Sequence, residues 1–468
     1  MKPTVRLSKW AGALAAMIVC AQAMAQEKQS FSASQAVEYA KQNSAQVKNA
    51  LIGIQLQQQQ NREITARALP NVSGNVDISY FPKVAVQSFP NFIAAATYGV
   101  LTDEGVKNGS GTPIVAPSDF GFIQAQFGTK WTAAAGISLS QILFDGQIFI
   151  GLQARKAAMD LAYKSAEVTE SQIRANVMKL YYQVLVAYKY IATIDANIER
   201  AEKLLNDTRE IYKQGFAEKL DVNKAEVSLA NLRTERLKLD NQLQAGMAGL
   251  KLLMGMPVKT ELTLTDTLSE ESLKVNIMDV SYAYADRKEF QQIEIARKLN
   301  EYNVRRYRLS KLPTVALLGN YSKNAQRNKF NFFNFNEQWF SSAFIGLKVS
   351  VPIFEGFAKE ARIKTAQLEL QQTENNVEQL KLSIDNEVEL SRINMRTALA
   401  SMDAQRTNMA LAEQVYEQTK KKYEQGLGSN LEITNAQAEL RIAQNNYYGA
   451  LTDAVLAKVE FLRATGKL

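Results

Sequence analysis

The side chains that most often carry out chemistry are nearly absent from this sequence. Its 468 residues include no histidine, which removes the usual general base and the commonest metal ligand. One cysteine, Cys20, stands alone. Catalytic triads, Cys/His zinc sites and a disulfide framework are therefore excluded. The glycine run Gly109-Ser110-Gly111 is far too little for a phosphate-binding loop. What remains is charge, 55 Lys+Arg against 47 Asp+Glu, a net +8. It is spread along the chain, and a diffuse basic balance is weak evidence for nucleic acid. An enzyme made from these residues needs a carboxylate pair or Ser/Lys chemistry in a globular cleft, and long uninterrupted helices make poor clefts. The composition predicts no enzyme, no cofactor and no metal site.

Residues 1–25 read as a secretory signal. Lys2, Arg6 and Lys9 form a positive n-region, Ala11 to Ala21 a short apolar core, and Ala23-Met24-Ala25 a cleavage site. The apolar stretch is too short for a spanning helix, which needs about 20 residues. A lipoprotein signal with Cys20 as the lipidated residue is the rival reading, although Val19 stands where a small residue is expected. Either way the chain is exported.

The rest is an internal repeat. Tyr212-Lys213-Gln214-Gly215, Leu220-Asp221 and Ala225 recur as Tyr423-Glu424-Gln425-Gly426, Leu431-Glu432 and Ala436 at an offset of 211. Upstream, Leu143-Phe144-Asp145-Gly146 matches Ile353-Phe354-Glu355-Gly356, and Leu69-Pro70-Asn71-Val72 matches Leu312-Pro313-Thr314-Val315. The conserved order points to a tandem duplication. Each half contains a long stretch free of Gly and Pro, 152–214 and 357–425, rich in strong helix formers. Such helices reach roughly 100 Å. They stop near Gly215 and Gly426, natural C-caps. Ser429-x-x-Glu432 reads as a capping box that starts the next helix, and Glu218 and Asp221 suit the corresponding N-terminus in the first half. Two long helical hairpins with turns at the same end result.

Elsewhere the period falls to 2. Val72, Gly74, Val76, Ile78 and Tyr80 alternate with Ser73, Asn75, Asp77 and Ser79, and Trp131 to Ser140 alternates likewise. Ala343, Ile345, Leu347, Val349 and Val351 oppose Gly346, Lys348 and Ser350, while Val315 to Tyr321 alternates less cleanly. These are four strands of about 9–12 residues, the length of a membrane-spanning strand. A small soluble sheet is the alternative. Four strands cannot close a membrane barrel, because an open edge in lipid is prohibitive, so several chains must share one.

Taken together, these residues resemble the TolC family of outer-membrane efflux proteins. The resemblance rests on the duplication, Leu-Pro-x-Val entering the first strand of each half, and Phe-Asp-Gly or Phe-Glu-Gly leaving the second. It rests also on Tyr-x-x-Gly followed by Leu-Asp-Val-x-x-Ala or Leu-Glu-Ile-x-x-Ala, and on the opening Ala36-Val37-Glu38-Tyr39-Ala40-Lys41-Gln42-Asn43. It implies a mainly α chain with a membrane β-barrel. Four transmembrane strands per chain build a trimeric twelve-stranded barrel, and the helical hairpins form a periplasmic α-barrel. The expected organisation is a signal peptide (1–25), a first repeat (26–255), an equatorial linker (256–284) and a second repeat (285–468). The implied function is the outer-membrane exit duct of a tripartite efflux or secretion system. Its partners are two further copies, a periplasmic adaptor, an inner-membrane transporter and outer-membrane lipid. An exported coiled-coil adaptor or scaffold is the alternative, although no compact lipoyl-like or barrel domain is found between helix halves.

The resemblance also places candidate sites. Acidic residues shortly before the second Tyr-x-x-Gly turn match Glu413 and Glu417, spaced i,i+4 on one helical face. Repeated by a threefold axis they form a ring that favours cations. A solvated outer face is the plainer alternative, with Lys420 and Lys421 beside it. Arg209 or Arg406 would latch a closed state through a carboxylate. The tip residues Gly215, Phe216, Gly426, Leu427, Gly428 and Ser429 are the expected adaptor contacts, since exposed apolar groups at a tip touching only water are costly. Residues 81–130 form a longer first-half loop, either a cap on the mouth or plain decoration. Its Phe120 and Phe122, with Phe333 and Trp339 of the Asn/Phe-rich second-half loop, suit a membrane-interface belt or packing of one loop on the other.

Overall fold

A computed structural model describes residues 29–274, 281–334 and 336–468. The expected signal segment with Cys20, residues 275–280 of the linker, and Phe335 lie outside the described residues. The described residues form two compact units, one of residues 29–60, 154–274, 281–304 and 365–468, the other of residues 61–153 and 305–364.

The first unit is helical. Ser32 starts α1 (Ala33–Asn43) with a reciprocal cap: its hydroxyl accepts from Gln35 N and its own N–H donates to Gln35 Oε1. Helix α2 spans Ala45–Ala66. Two hairpins follow. The first pairs α4 (Gly146–Lys213) with α5 (Lys219–Met254), and the second pairs α8 (Ala358–Glu424) with α9 (Asn430–Ala464). The Gly- and Pro-free stretches are helical almost to the residue, and Gly151 sits inside α4. Ile173, Val177, Tyr181 and Val184, at helical spacing, pack with Leu451 and Val455 of α9 into the main core. Polar contacts cross that packing. Buried Asn197 donates to buried Gln444 at 2.6 Å, and the Thr193 and Tyr448 hydroxyls meet at 2.6 Å.

The expected linker is a run of short pieces. Strand β6 (Leu262–Leu264) pairs in parallel with β1 (Gln29–Phe31), and α6 covers Glu270–Lys274. Helix α7 spans Lys288–Leu309.

The second unit contains a four-stranded antiparallel sheet in the order β2 (Asn71–Tyr80), β5 (Trp131–Phe144), β7 (Thr314–Arg327), β8 (Phe340–Ser350). Register sorts the side chains. Val72 pairs with Leu139, Val76 with Ala135, Tyr321 with Ala343 and Leu317 with Leu347, all on one face. The other face carries Ser73 against Ser138 and Ser322 against Ser342, hydroxyls 2.8 and 2.9 Å apart. β7 extends to Arg327, further than its irregular alternation suggested, because it is paired on both sides. The apolar face is open: Val76, Ile345 and Leu347 are 72, 75 and 66% exposed.

The loop 81–130 is ordered by its own elements. Strands β3 (Val86–Pro90) and β4 (Phe122–Gln126) pair, and α3 (Phe92–Asp103) lies between them. In the second-half loop, buried Arg327 lies over the rings of Phe332 and Trp339 and donates to Gln338 O.

The Asn197–Gln444 contact gives a stability test. Asn197→Ala leaves the Gln444 amide buried without its partner, an expected loss of about 1–3 kcal/mol in unfolding by denaturant. Replacing both residues by Leu should recover most of it. An equal loss in the double variant would mean that shape, not polar satisfaction, matters there.

Candidate functional site

The hairpin turns bring most of the expected tip residues together. Gly215 and Gly426 both adopt left-handed φ, 84° and 73°, and close their helices with N–H bonds to Tyr212 O and Tyr423 O. A Cβ at Gly428 would lie 3.1 Å from Tyr423 N, so the chain leaves the turn tight against the preceding helix. Phe216 and Leu427 are 84 and 72% exposed. They are not tucked into the hairpins as caps.

The second-half helix start differs from expectation. Ser429 accepts from Glu432 N, but the Glu432 carboxylate does not return to the Ser429 backbone. It binds Lys422 Nζ at 2.8 Å instead. The first half makes the return bond, Glu218 N to Asp221 Oδ2. Asn430 Nδ2 then reaches Asp221 O at 3.4 Å and ties the two turns to each other.

Below the turns, Glu413 and Glu417 flank Tyr416 on α8. Glu413 is exposed and Glu417 half-buried, while Tyr416 is buried. The cation that meets Glu413 is Arg200 of α4, 3.7 Å away with its guanidinium 5.8 Å from the Tyr416 ring centre. Sequence reasoning missed both Arg200 and Tyr416. Counting back along the chain finds them: Arg200 and Glu413 stand nearly the same number of residues before Gly215 and Gly426, so they lie at similar heights on helices that end together.

Arg209 and Arg406 have carboxylate partners other than Glu413 and Glu417. Arg209 donates to Glu226 Oε1 at 2.6 Å across its own hairpin. Arg406 reaches Glu270 of α6 at 3.3 Å, and Glu270 also accepts the Tyr447 hydroxyl. Burial, then that bond, pushes the Tyr447 phenol up from its ordinary value. Arg406 thus fastens α6 to the helices, and Arg209 bridges the two helices of the first hairpin near its turn, as Arg233 and Arg236 do further from it.

A groove of 440 Å³ opens between α5 and α9. Leu220, Val227 and Leu232 line one side, and Gln437 and Arg441 the other. The Gln437 carboxamide oxygen is buried with no partner among the described residues. The loop aromatics divide. Phe120 packs on Tyr98 at 5.7 Å and Trp339 on Phe332 at 6.1 Å, whereas Phe122 and Phe333 are exposed. One cross-loop contact joins Trp131 to Phe330 at 4.9 Å.

The profile described as "Outer membrane efflux protein" matches residues 123–256 and 280–467. Outer membrane protein TolC of Vibrio cholerae is 22% identical over 347 residues, covering 72% of this chain and 77% of that protein. Outer membrane efflux protein BepC of Brucella suis is 25% identical over 347 residues, 72% of this chain and 73% of its own. Alkaline protease secretion protein AprF of Pseudomonas aeruginosa is 21% identical over 340 residues, 71% of this chain and 68% of its own. Among solved structures, CusC matches with a TM-score of 0.71 at 16% identity, over 92% of this chain and 91% of that one. VceC of Vibrio cholerae matches at 0.68 and 16%, over 93 and 96%. At these identities the structural likeness is one of fold.

The Arg209 bond holds the Glu226 carboxyl below its ordinary value. A depressed carboxylate contributes above its unfolded value and loses that contribution as pH falls through the folded one. Protection of the amides across residues 209–226, taken relative to their intrinsic exchange rates, should therefore hold at neutral pH and fall only in acid. Glu226→Gln should show the reduced protection already at pH 7 and lose the acid dependence. Unchanged exchange in that variant would mean the pair does not hold the hairpin.

Proposed function

The chain belongs to the outer membrane efflux protein family, and on that premise we propose that three copies close one barrel in the outer membrane. It is an outer-membrane exit duct for efflux or secretion. Members of this family are channel proteins rather than enzymes, in keeping with a chain that has no histidine. Family membership sets aside the scaffold reading.

One observation carries the trimer: a four-stranded sheet whose outer strands are unpaired and whose apolar face is open. In hydrocarbon every backbone N–H and C=O must be satisfied, so edges must be paired. Three copies give twelve strands, within the even-numbered range of bacterial barrels. The face bearing Val72, Val76, Ile345 and Leu347 then meets lipid, and the Ser/Asn face lines the lumen. The two repeats supply two strands each, which supports the duplication. The helical hairpins lie in the periplasm and end at the tips.

At the tips, exposed Phe216 and Leu427 and the groove between α5 and α9 favour docking of a periplasmic adaptor, which links the duct to an inner-membrane transporter. The sequence offers no phosphate-binding loop, and the energy is assigned to that transporter. Glu413 and Glu417 are the proposed acidic ring. The ion pair of Glu413 with Arg200 across α4 and α8 makes that carboxylate a closing contact as well as a selectivity element.

The first test is the mass of the particle extracted from outer membranes in detergent, expected to be three chains. A single chain would sink the shared barrel. In planar bilayers, Glu413→Gln with Glu417→Gln should lower cation over anion permeability several-fold while the mass stays that of a trimer. Unchanged selectivity would place both carboxylates on a solvated outer face. Phe216→Asp with Leu427→Asp should leave conductance intact and abolish cross-linking to the adaptor. Retained cross-linking would remove the tip from the docking surface.

A further inference from the structure

The edge strands β2 and β8 contain ten and eleven residues. Strand direction alternates across the sheet, so β8 of one copy meets β2 of the next antiparallel. The faces restrict the pairing. Apolar residues are even-numbered in β2 (Val72, Val76, Ile78) and odd-numbered in β8 (Ala343, Ile345, Leu347, Val349). Any shift by a single residue turns one set into the lumen, so only registers two residues apart remain. One of these pairs every residue of β2, from Asn71 opposite Ser350 to Tyr80 opposite Ser341.

Barrel closure selects the same register. Within the chain the ladder runs from Asn71 to Ser140, Leu318 and Gly346. Crossing to the next copy in the full-length register lands on Asn75. The stagger is four residues per copy and twelve round three copies, which tilts twelve strands by about 35° at a rise of ~3.3 Å and a spacing of ~4.8 Å. That lies at the edge of the usual range, about 35–45°. A slip of two residues one way gives about 46° and leaves part of β2 unpaired, and the other way about 19°, too upright.

The hand also agrees. Phe81 N donates to Lys130 O, so odd-numbered β2 residues bond toward β5. Even-numbered, lipid-facing residues must then bond toward the open side. For L-residues this puts β5 to the left of β2 seen from lipid, the direction in which right-tilted strands return higher on the starting strand.

We infer that neighbouring copies join β2 to β8 in this register, with Ser79 of one copy directly opposite Ser342 of the next. The inference rests on the shared barrel proposed above.

Cysteine pairs test the register in the full-length chain. Ser79→Cys with Ser342→Cys is nearly isosteric, and the pair faces the lumen, open to oxidant. Directly opposite residues approach to about 4.5–5.5 Å at Cβ, diagonal ones to about 7–8 Å, beyond easy bridging. The mass of each variant particle is read first, and single-cysteine variants account for Cys20. In trimeric particles, oxidation should link chains covalently through 79 and 342, but not through Ser79→Cys with Phe340→Cys or with Phe344→Cys. Preferential linkage at 340 or 344, or no linkage in a trimer, overturns the register and leaves the shared barrel standing. A particle of one chain removes the shared barrel and the register with it.

Discussion

Everything in the sheet unit turns on one constraint, the unsatisfied backbone along β2 and β8. A hydrogen-bonding edge that faces water is a nuisance, whereas one that faces hydrocarbon costs several kcal/mol for each unpaired group. Four strands with an open apolar face are not a stable object alone in either solvent. The same chain placed beside two copies of itself satisfies both edges and gives the apolar face a lipid neighbour. Hydrogen-bond accounting is what argues for the proposed trimer, and family membership independently places the protein in the outer membrane.

The helical unit solves a different problem. Long helices need a continuous apolar stripe, and the Ile173–Val177–Tyr181–Val184 series provides one. Along the same surfaces the chain admits polar pairs such as Asn197 with Gln444 and Thr193 with Tyr448. Packing between uniform helices permits sliding by a turn, and matched polar groups oppose it because each mismatch strands a buried donor or acceptor. Toward the tips the contacts become charged and more exposed: Arg209 with Glu226, Lys422 with Glu432, Arg200 with Glu413. Exposed ion pairs are individually weak, which fits the closing contact proposed for this end.

The tip shows where local rules stopped being sufficient. Ser429 and Glu432 have the spacing of a capping box, yet Glu432 binds Lys422 of the preceding helix, because a charged partner across a tight turn outbids a backbone N–H open to water. Glu218 and Asp221 complete the box that their sequence advertises less clearly. In the loops, Phe332 is the buried anchor, under Arg327, while its neighbour Phe333 points outward. In a run of alternating Asn and Phe nothing local distinguishes them.

What the sequence determined by itself was everything carried by periodicity and punctuation. Helix lengths followed from the stretches without Gly or Pro, turns from Gly215 and Gly426, and the four strands from their alternation. The lack of histidine was also visible, since a missing residue type needs no geometry. Candidate positions Glu413 and Glu417 were found, but not their partner. Only the tertiary structure decided that Arg200 meets Glu413, that Arg406 serves α6, and that β5 and β7 pair across the two halves. Those are contacts between segments hundreds of residues apart, fixed by which apolar faces pack together, and no local pattern encodes which of several equivalent faces a helix or strand will choose.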